Sequence, residues 1–256
     1  MTEITGPKHE RYCAAVEAEV ARFVGLVGAA DPTTPVPTCP GWTIADLVKH
    51  HGTTHRWVEH LVRHRATERI WSRDVPLDLP ENESQYPAWL AAGGSAALRT
   101  LRAADPDTPV WSHGADQHVR FWPRRLLFEA VVHLADAELA LGRRPQIDGE
   151  TAADGVDELL QHLPFAARVA ENIRQLGLDG EAVHLYATDT GTEWVIKIGG
   201  GGFTWERGHS EGTATARATA GDLLLLVYGR LRPEHERITT AGDHELLASW
   251  LAATAL

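Results

Sequence analysis

The sequence predicts a mainly α-helical first half followed by a smaller α+β second half, and three observations carry that prediction. Four segments within residues 1–142 place apolar side chains at three- and four-residue spacing, the period of an amphipathic helix. The stretch GRRPQIDGE, residues 142–150, interrupts the pattern with Gly, Pro and charge and reads as a linker. Beyond it come short alternating runs bounded by Thr and Gly, which read as strands. Two domains follow, residues 1–145 and residues 146–256.

The first helix covers residues 8–29, with Val16, Val20, Phe23, Val24 and Val27 on one face. It cannot continue through DPTTPVPTCPGW, residues 31–42, where four prolines remove donors and clash with the preceding turn. Thr43 then caps a second helix, with Asp46 three residues on completing a capping box, and this helix runs to about residue 65. Residues 84–103 form a third helix, loosened by Gly93 and Gly94, and Pro123 opens a fourth that ends at Gly142. Four such helices make a bundle. In the second half one helix spans residues 151–175, AVHLYATDT and EWVIKI pair as a hairpin, and GGGGF is a flexible turn after it. TATARAT is a further strand, AGDLLLLVYGR a buried helix, RITTAG a last edge strand and DHELLASWLAATA a terminal helix.

Composition narrows the function. With 256 residues, 43% of them apolar, the chain can bury a real core. A net charge of -11 argues against nucleic acid, whose phosphates are held by clustered Lys and Arg. Residues 1–20 carry too many charges for a signal peptide, and no run approaches the roughly 18 apolar residues of a membrane span. The expectation is a cytoplasmic protein that handles a small molecule, as a monomer or small homo-oligomer. Cys13 and Cys39 form neither a disulfide framework nor a paired metal knuckle.

The chemistry gathers on the helix FEAVVHLADAEL. Glu129 and His133 stand four apart, one above the other on a largely apolar helix, where an ionised carboxylate is costly without a cation or donor. A histidine from the second helix would complete a set of two His and one carboxylate, which leaves coordination positions open for water or substrate. Periodicity does not choose that histidine. His50 shares a face with Leu47, Thr54, Trp57 and Leu61, and His51 shares one with Leu47, Val48, His55 and Val58. The pairs His51 with His55 and His60 with His64 are themselves chelate-spaced, although both read better as solvated or capping histidines.

CPGWTIADLVKHHGTTHRW, followed in order by FEAVVHLADAELALGRRPQI, DGVDELL, LYATDTGTEWVI, AGDLLLLVYGR and ITTAGD, resembles the mycothiol-dependent maleylpyruvate isomerase family over nearly the whole chain. The resemblance implies a DinB-like four-helix bundle followed by a smaller sterol-carrier-like α+β domain. It also implies that His50, Glu129 and His133 hold a divalent metal, most simply zinc, with mycothiol as cosubstrate. Arg230, ending the Leu-rich helix, matches the arginine implicated in the isomerase's activity and would grip a substrate carboxylate. Trp57, two turns along the His50 face, would line the pocket. The implied reaction is attack of the thiolate on an electrophilic small molecule, as S-transfer or as cis–trans isomerisation. Its rivals are thiol exchange on an S-conjugate, hydrolysis by metal-activated water, and binding of metal and thiol without turnover. Phe128 before Glu129, and Leu134 and Ala135 after His133, depart from the family pattern and predict a more apolar pocket wall.

Overall fold

The computed structural model describes residues 8–255 and divides into two compact units, Met1–Pro145 and Gln146–Leu256. In the first, α1 (Lys8–Val27), α2 (Ile44–Arg63), α3 (Tyr86–Ala103) and α4 (Phe121–Ala140) form the bundle. Each of α1 and α2 packs against both α3 and α4. Thr43 caps α2 by accepting from the Asp46 amide, while the Asp46 carboxylate accepts from the Thr43 amide at 2.9 Å. On the apolar face of α1, Val16, Val20, Phe23 and Val27 are buried together with Cys13, and Val24 is half-buried against the same core. Burial, with the charge of Glu10, pushes the Cys13 thiol up to about 11, so it behaves as a small core side chain.

Gly93 and Gly94 do not loosen α3, which runs unbroken past them. Both are buried where α3 meets its neighbours, with the Arg56 guanidinium over Gly93 and Val20 over Gly94. The same joint brings Trp89 onto α2. A Cβ on Gly52 would lie 2.1 Å from the nearest carbon of the Trp89 ring, and the Arg56 guanidinium stacks on the same ring, 3.9 Å from its centroid, while donating to the Trp89 carbonyl at 2.8 Å. Gly52→Ala therefore pits a gain of about 1 kcal/mol in helix propensity against an overlap with an immobile ring. We expect the overlap to win, with a net loss of about 1–3 kcal/mol read as a lower urea midpoint.

The second unit contains α5 (Gly149–His162), α6 (Ala167–Leu176), β1 (Ala182–Ala187), β2 (Glu193–Gly199), β3 (Gly202–Arg207), β4 (Ala214–Ala218), α7 (Ala220–Val227), β5 (Thr239–Gly242) and α8 (His244–Thr254). The single helix expected over residues 151–175 is two helices, because Pro164 lies in a tight turn, Leu163–Phe165, that cannot extend α5. The glycine run is likewise not only a turn: Gly200 and Gly201 reverse the chain with positive φ, and Gly202 already starts β3. Glycine dilutes the alternation there, which hid the strand.

The sheet has the order β3-β2-β1-β4-β5, with β1 and β4 parallel and all other neighbours antiparallel. One face is apolar: Val183, Leu185, Trp194, Ile196, Ile198, Ala214, Ala216 and Ala218 are all buried. α6, α7 and α8 pack against the sheet. The other face alternates to His184, Tyr186, Glu193, Lys197 and Arg217, as the pleat requires. No helix among the described residues is long and apolar enough to cross a membrane.

Candidate functional site

The structure brings His50 from α2 and Glu129 and His133 from α4 to one point in the first unit. The Nε2 of His50 lies 2.9 Å, and the Nε2 of His133 3.2 Å, from Glu129 Oε1. All three ligand atoms fall within 4.8 Å of one another. The other oxygen of Glu129 accepts from Arg125 at 3.0 Å, one turn earlier on α4, which leaves Oε1 directed at the imidazoles. Burial pushes the Glu129 carboxyl up, but hydrogen bonds from His133 and His50 and the charges of His133 and Arg125 outweigh it. The net effect holds the group well below the usual carboxylate range.

Behind His133 stands Asp136. Its Oδ2 lies 2.9 Å from His133 Nδ1, and an ionised carboxylate can only accept, so Nδ1 carries the proton and Nε2 is the atom turned to Glu129. Burial lowers the His133 pKa, yet the hydrogen bonds and charges of Asp136 and Glu129 raise it to about 9. Asp136 is itself fully buried, and it also accepts from the Thr38 hydroxyl at 2.6 Å and the Cys39 thiol at 3.5 Å. The Cys-Pro-Gly-Trp turn thus has a structural purpose. Gly41, at φ +84°, reverses the chain so that Thr38 and Cys39 meet Asp136, while the Trp42 ring packs 5.0 Å from that of His50 and 6.4 Å from that of His133.

This donor set fits a divalent cation of the zinc type: two imidazoles and a carboxylate converge, and a carboxylate fixes the second nitrogen of one imidazole. Asp136, Arg125 and Trp42 were not singled out from sequence. The available signals were the three-residue step from His133 to Asp136 and the four-residue step from Arg125 to Glu129, each of which puts the pair on one helix face.

His51 and His55 are not solvated. Both are completely buried, 3.3 Å apart through their Nε2 atoms, with Phe23 against His51. His60 and His64 do lie outward, and His64 Nδ1 donates to the His60 carbonyl at the end of α2. Trp57 sits in an aromatic cluster with Trp111 and Trp122, its indole N–H donating to the Ile70 carbonyl at 2.7 Å. Leu134 is a core residue beside Phe23, Leu47 and Leu90, and Phe128 is wholly buried. Arg230, in the second unit, donates from Nη1 to the Tyr228 carbonyl at 2.8 Å, beside the end of α7.

The buried histidines set a pH dependence. Burial, opposed by the charge of Glu129 and reinforced by Arg56, lowers the His55 pKa from 6.5 to about 4. Between those values the unfolded chain binds a proton at this residue and the folded chain does not. Stability is therefore lost as pH falls from 6.5 toward 4, by about 3 kcal/mol if the whole shift is realised. Urea unfolding of metal-free protein across that window is expected to show this slope, and His55→Leu to flatten it by one proton.

Comparison with known proteins gives the family. Residues 13–138 match the model of the mycothiol maleylpyruvate isomerase N-terminal domain, and residues 150–249 match that of the C-terminal domain of the same family. The chain belongs to the mycothiol maleylpyruvate isomerase family. Its fold agrees with two crystal structures of the mycothiol-dependent maleylpyruvate isomerase. A single-site mutant of that enzyme superposes with TM-score 0.62 and the unmutated form with 0.59, each at 13% identity over 95% of this chain and 97% of the other. No curated protein is significantly similar to this family member in sequence.

Proposed function

We propose that the chain is a metal-dependent enzyme that uses mycothiol as cosubstrate and adds its thiolate to an electrophilic small molecule, as an S-transferase or a cis–trans isomerase of the maleylpyruvate type. The observation that carries this reading is the convergence of His50, Glu129 and His133, two facing helices of a family member supplying two imidazoles and a carboxylate within 4.8 Å. A divalent ion held there, zinc by preference, would supply the positive charge that favours thiolate over a free thiol of pKa about 8.5.

The chain's own residues do the rest of the work. Asp136 holds the proton of His133 on Nδ1 and keeps Nε2 toward the site, and Arg125 orients Glu129. Trp42 gives the site a flat apolar side next to both histidines, against which an uncharged part of a substrate can lie. Neither cysteine is the nucleophile in this reading: Cys13 is inert in the core and Cys39 donates to Asp136. Arg230 remains the candidate for a substrate carboxylate, because a planar guanidinium matches a carboxylate through two parallel bonds.

The test is turnover of purified, zinc-loaded protein with mycothiol against a panel containing maleylpyruvate, other electrophiles and S-conjugates. Product that forms only when mycothiol is present is the expected result. Product formed from S-conjugates alone would replace addition by thiol exchange. Turnover without any thiol would replace it by hydrolysis, and metal binding with no product from the whole panel would make the chain a binding module.

A further inference from the structure

The second unit carries another cluster of this chemistry, built by different elements. His184 of β1 and Glu193 of β2 are diagonal neighbours on the polar face of the sheet, since His184 pairs with Val195. His184 Nε2 lies 2.7 Å from Glu193 Oε2. His209 Nδ1 lies 2.7 Å from the same oxygen, and the two imidazole planes stand at 90° with centroids 5.5 Å apart. The three ligand atoms lie within 4.8 Å of one another.

The topology explains why His209 is there. β3 ends beside the start of β2, whereas β4 begins on the far side of β1, at Ala214 opposite Val183. Residues 208–213 must therefore cross three strand spacings, about 14 Å, which is within the roughly 20 Å that six extended residues can span. The crossing is made over the polar face. Gly208, at φ +151°, turns the chain out of β3 in a conformation closed to other residues, and its amide donates to the Glu193 carbonyl at 3.1 Å. At the far end Gly212 lies directly on His184: a Cβ there would be 2.9 Å from the His184 Cβ and backbone nitrogen. His184 is consequently buried at 7% exposure, although it is on the polar face, and His209 remains 74% exposed by its side chain.

We infer that His184, Glu193 and His209 form a second divalent-cation site, of the zinc class, that staples the 208–213 connection across the sheet. Two imidazoles and one carboxylate are the donor set such an ion takes, and three protein ligands leave a position for water on the exposed side of His209. The donors come from a central strand, its neighbour and the crossing segment, so an ion bound to all three ties a surface connection to the rigid sheet.

The test uses the full-length chain and Zn2+ alone. Zinc bound per chain at equilibrium dialysis is compared between the native protein, His209→Ala and Glu193→Gln, each also carrying His50→Ala. His209 is exposed, so its replacement leaves the core intact. One equivalent lost on His209→Ala, or its affinity weakened tenfold or more, is expected whether or not His50 is present, because removing a ligand should cost at least what removing a group that only orients a ligand does. Zinc should also slow proteolytic cleavage within residues 208–213 of the native chain and not of His209→Ala. Unchanged zinc content in both the His209 and Glu193 variants would overturn the site. Loss of zinc on His50→Ala alone reports on the other centre and leaves the two readings separable.

Discussion

Glu129→Ala is expected to remove one equivalent of divalent metal from each chain and, with it, mycothiol-dependent turnover. The carboxylate is the only donor of the His50, Glu129, His133 set that lies within hydrogen-bond distance of both others. Without it two imidazoles from separate helices remain, and two ligands hold zinc far less well than three. A metal ion contributes several kcal/mol of charge stabilisation in sites of this kind, so turnover should fall by about a thousandfold or more. The substitution also removes the carboxylate that accepts from Arg125, whose side chain is only 11% exposed. Losing one member of a largely buried charge pair in this way costs up to about 3–5 kcal/mol. Glu129→Gln keeps the volume and an acceptor for Arg125, so it separates the two effects: it should stay folded and still lose the metal. Elemental analysis of both variants, purified like the native protein, reads the outcome. Full metal content in Glu129→Gln, with activity intact, would remove the thiolate chemistry from this site.

Asp136→Ala should weaken zinc at the same centre by about 10- to 100-fold, the usual cost of losing a carboxylate that orients a ligand imidazole. Asp136 holds His133 Nδ1, and the same carboxylate gathers Thr38 and Cys39. The variant removes the acceptor that the half-buried Thr38 hydroxyl and Cys39 thiol share with His133, so a stability loss of about 1–3 kcal/mol accompanies the change in affinity. Asp136→Asn retains an acceptor of the same shape without the charge and should recover most of the stability but only part of the affinity. Competition with a chromogenic chelator measures the metal, and urea unfolding measures the fold. Native affinity in Asp136→Ala, alongside the stability loss, would reduce the residue to a structural tie between the turn and α4.

Much of the architecture was legible because local rules and global packing agree. The capping box at Thr43 and Asp46 started α2 where the hydrogen bonds now place it, and the periodic apolar face of α1 became core. The hairpin β1–β2, the strand β4, the buried α7 and the edge strand β5 each follow from alternation or from a run of leucines. The failures have equally local causes. Pro164 lay inside a segment whose apolar spacing continued on both sides of it, so two helices read as one, and glycine at the head of β3 masked a strand that is defined by its pairing to β2.

What the sequence by itself determined about the chemistry is one half of each arrangement. Helix geometry alone puts Glu129 above His133, and Asp136 and Arg125 on reachable faces of the same helix. Periodicity could not choose between His50 and His51, and only the family resemblance pointed to His50. Adjacent residues point about 100° apart on a helix, and α2 packs against both α3 and α4, so either imidazole has a packed side to face. The physical reason lies in the tertiary structure, which turns His50 to Glu129 at 2.9 Å and buries His51 against His55 and Phe23. The same holds for His184, Glu193 and His209, which no spacing rule connects. They meet because β4 lies beside β1 rather than beside β3, and the chain must cross the sheet's polar face to reach it.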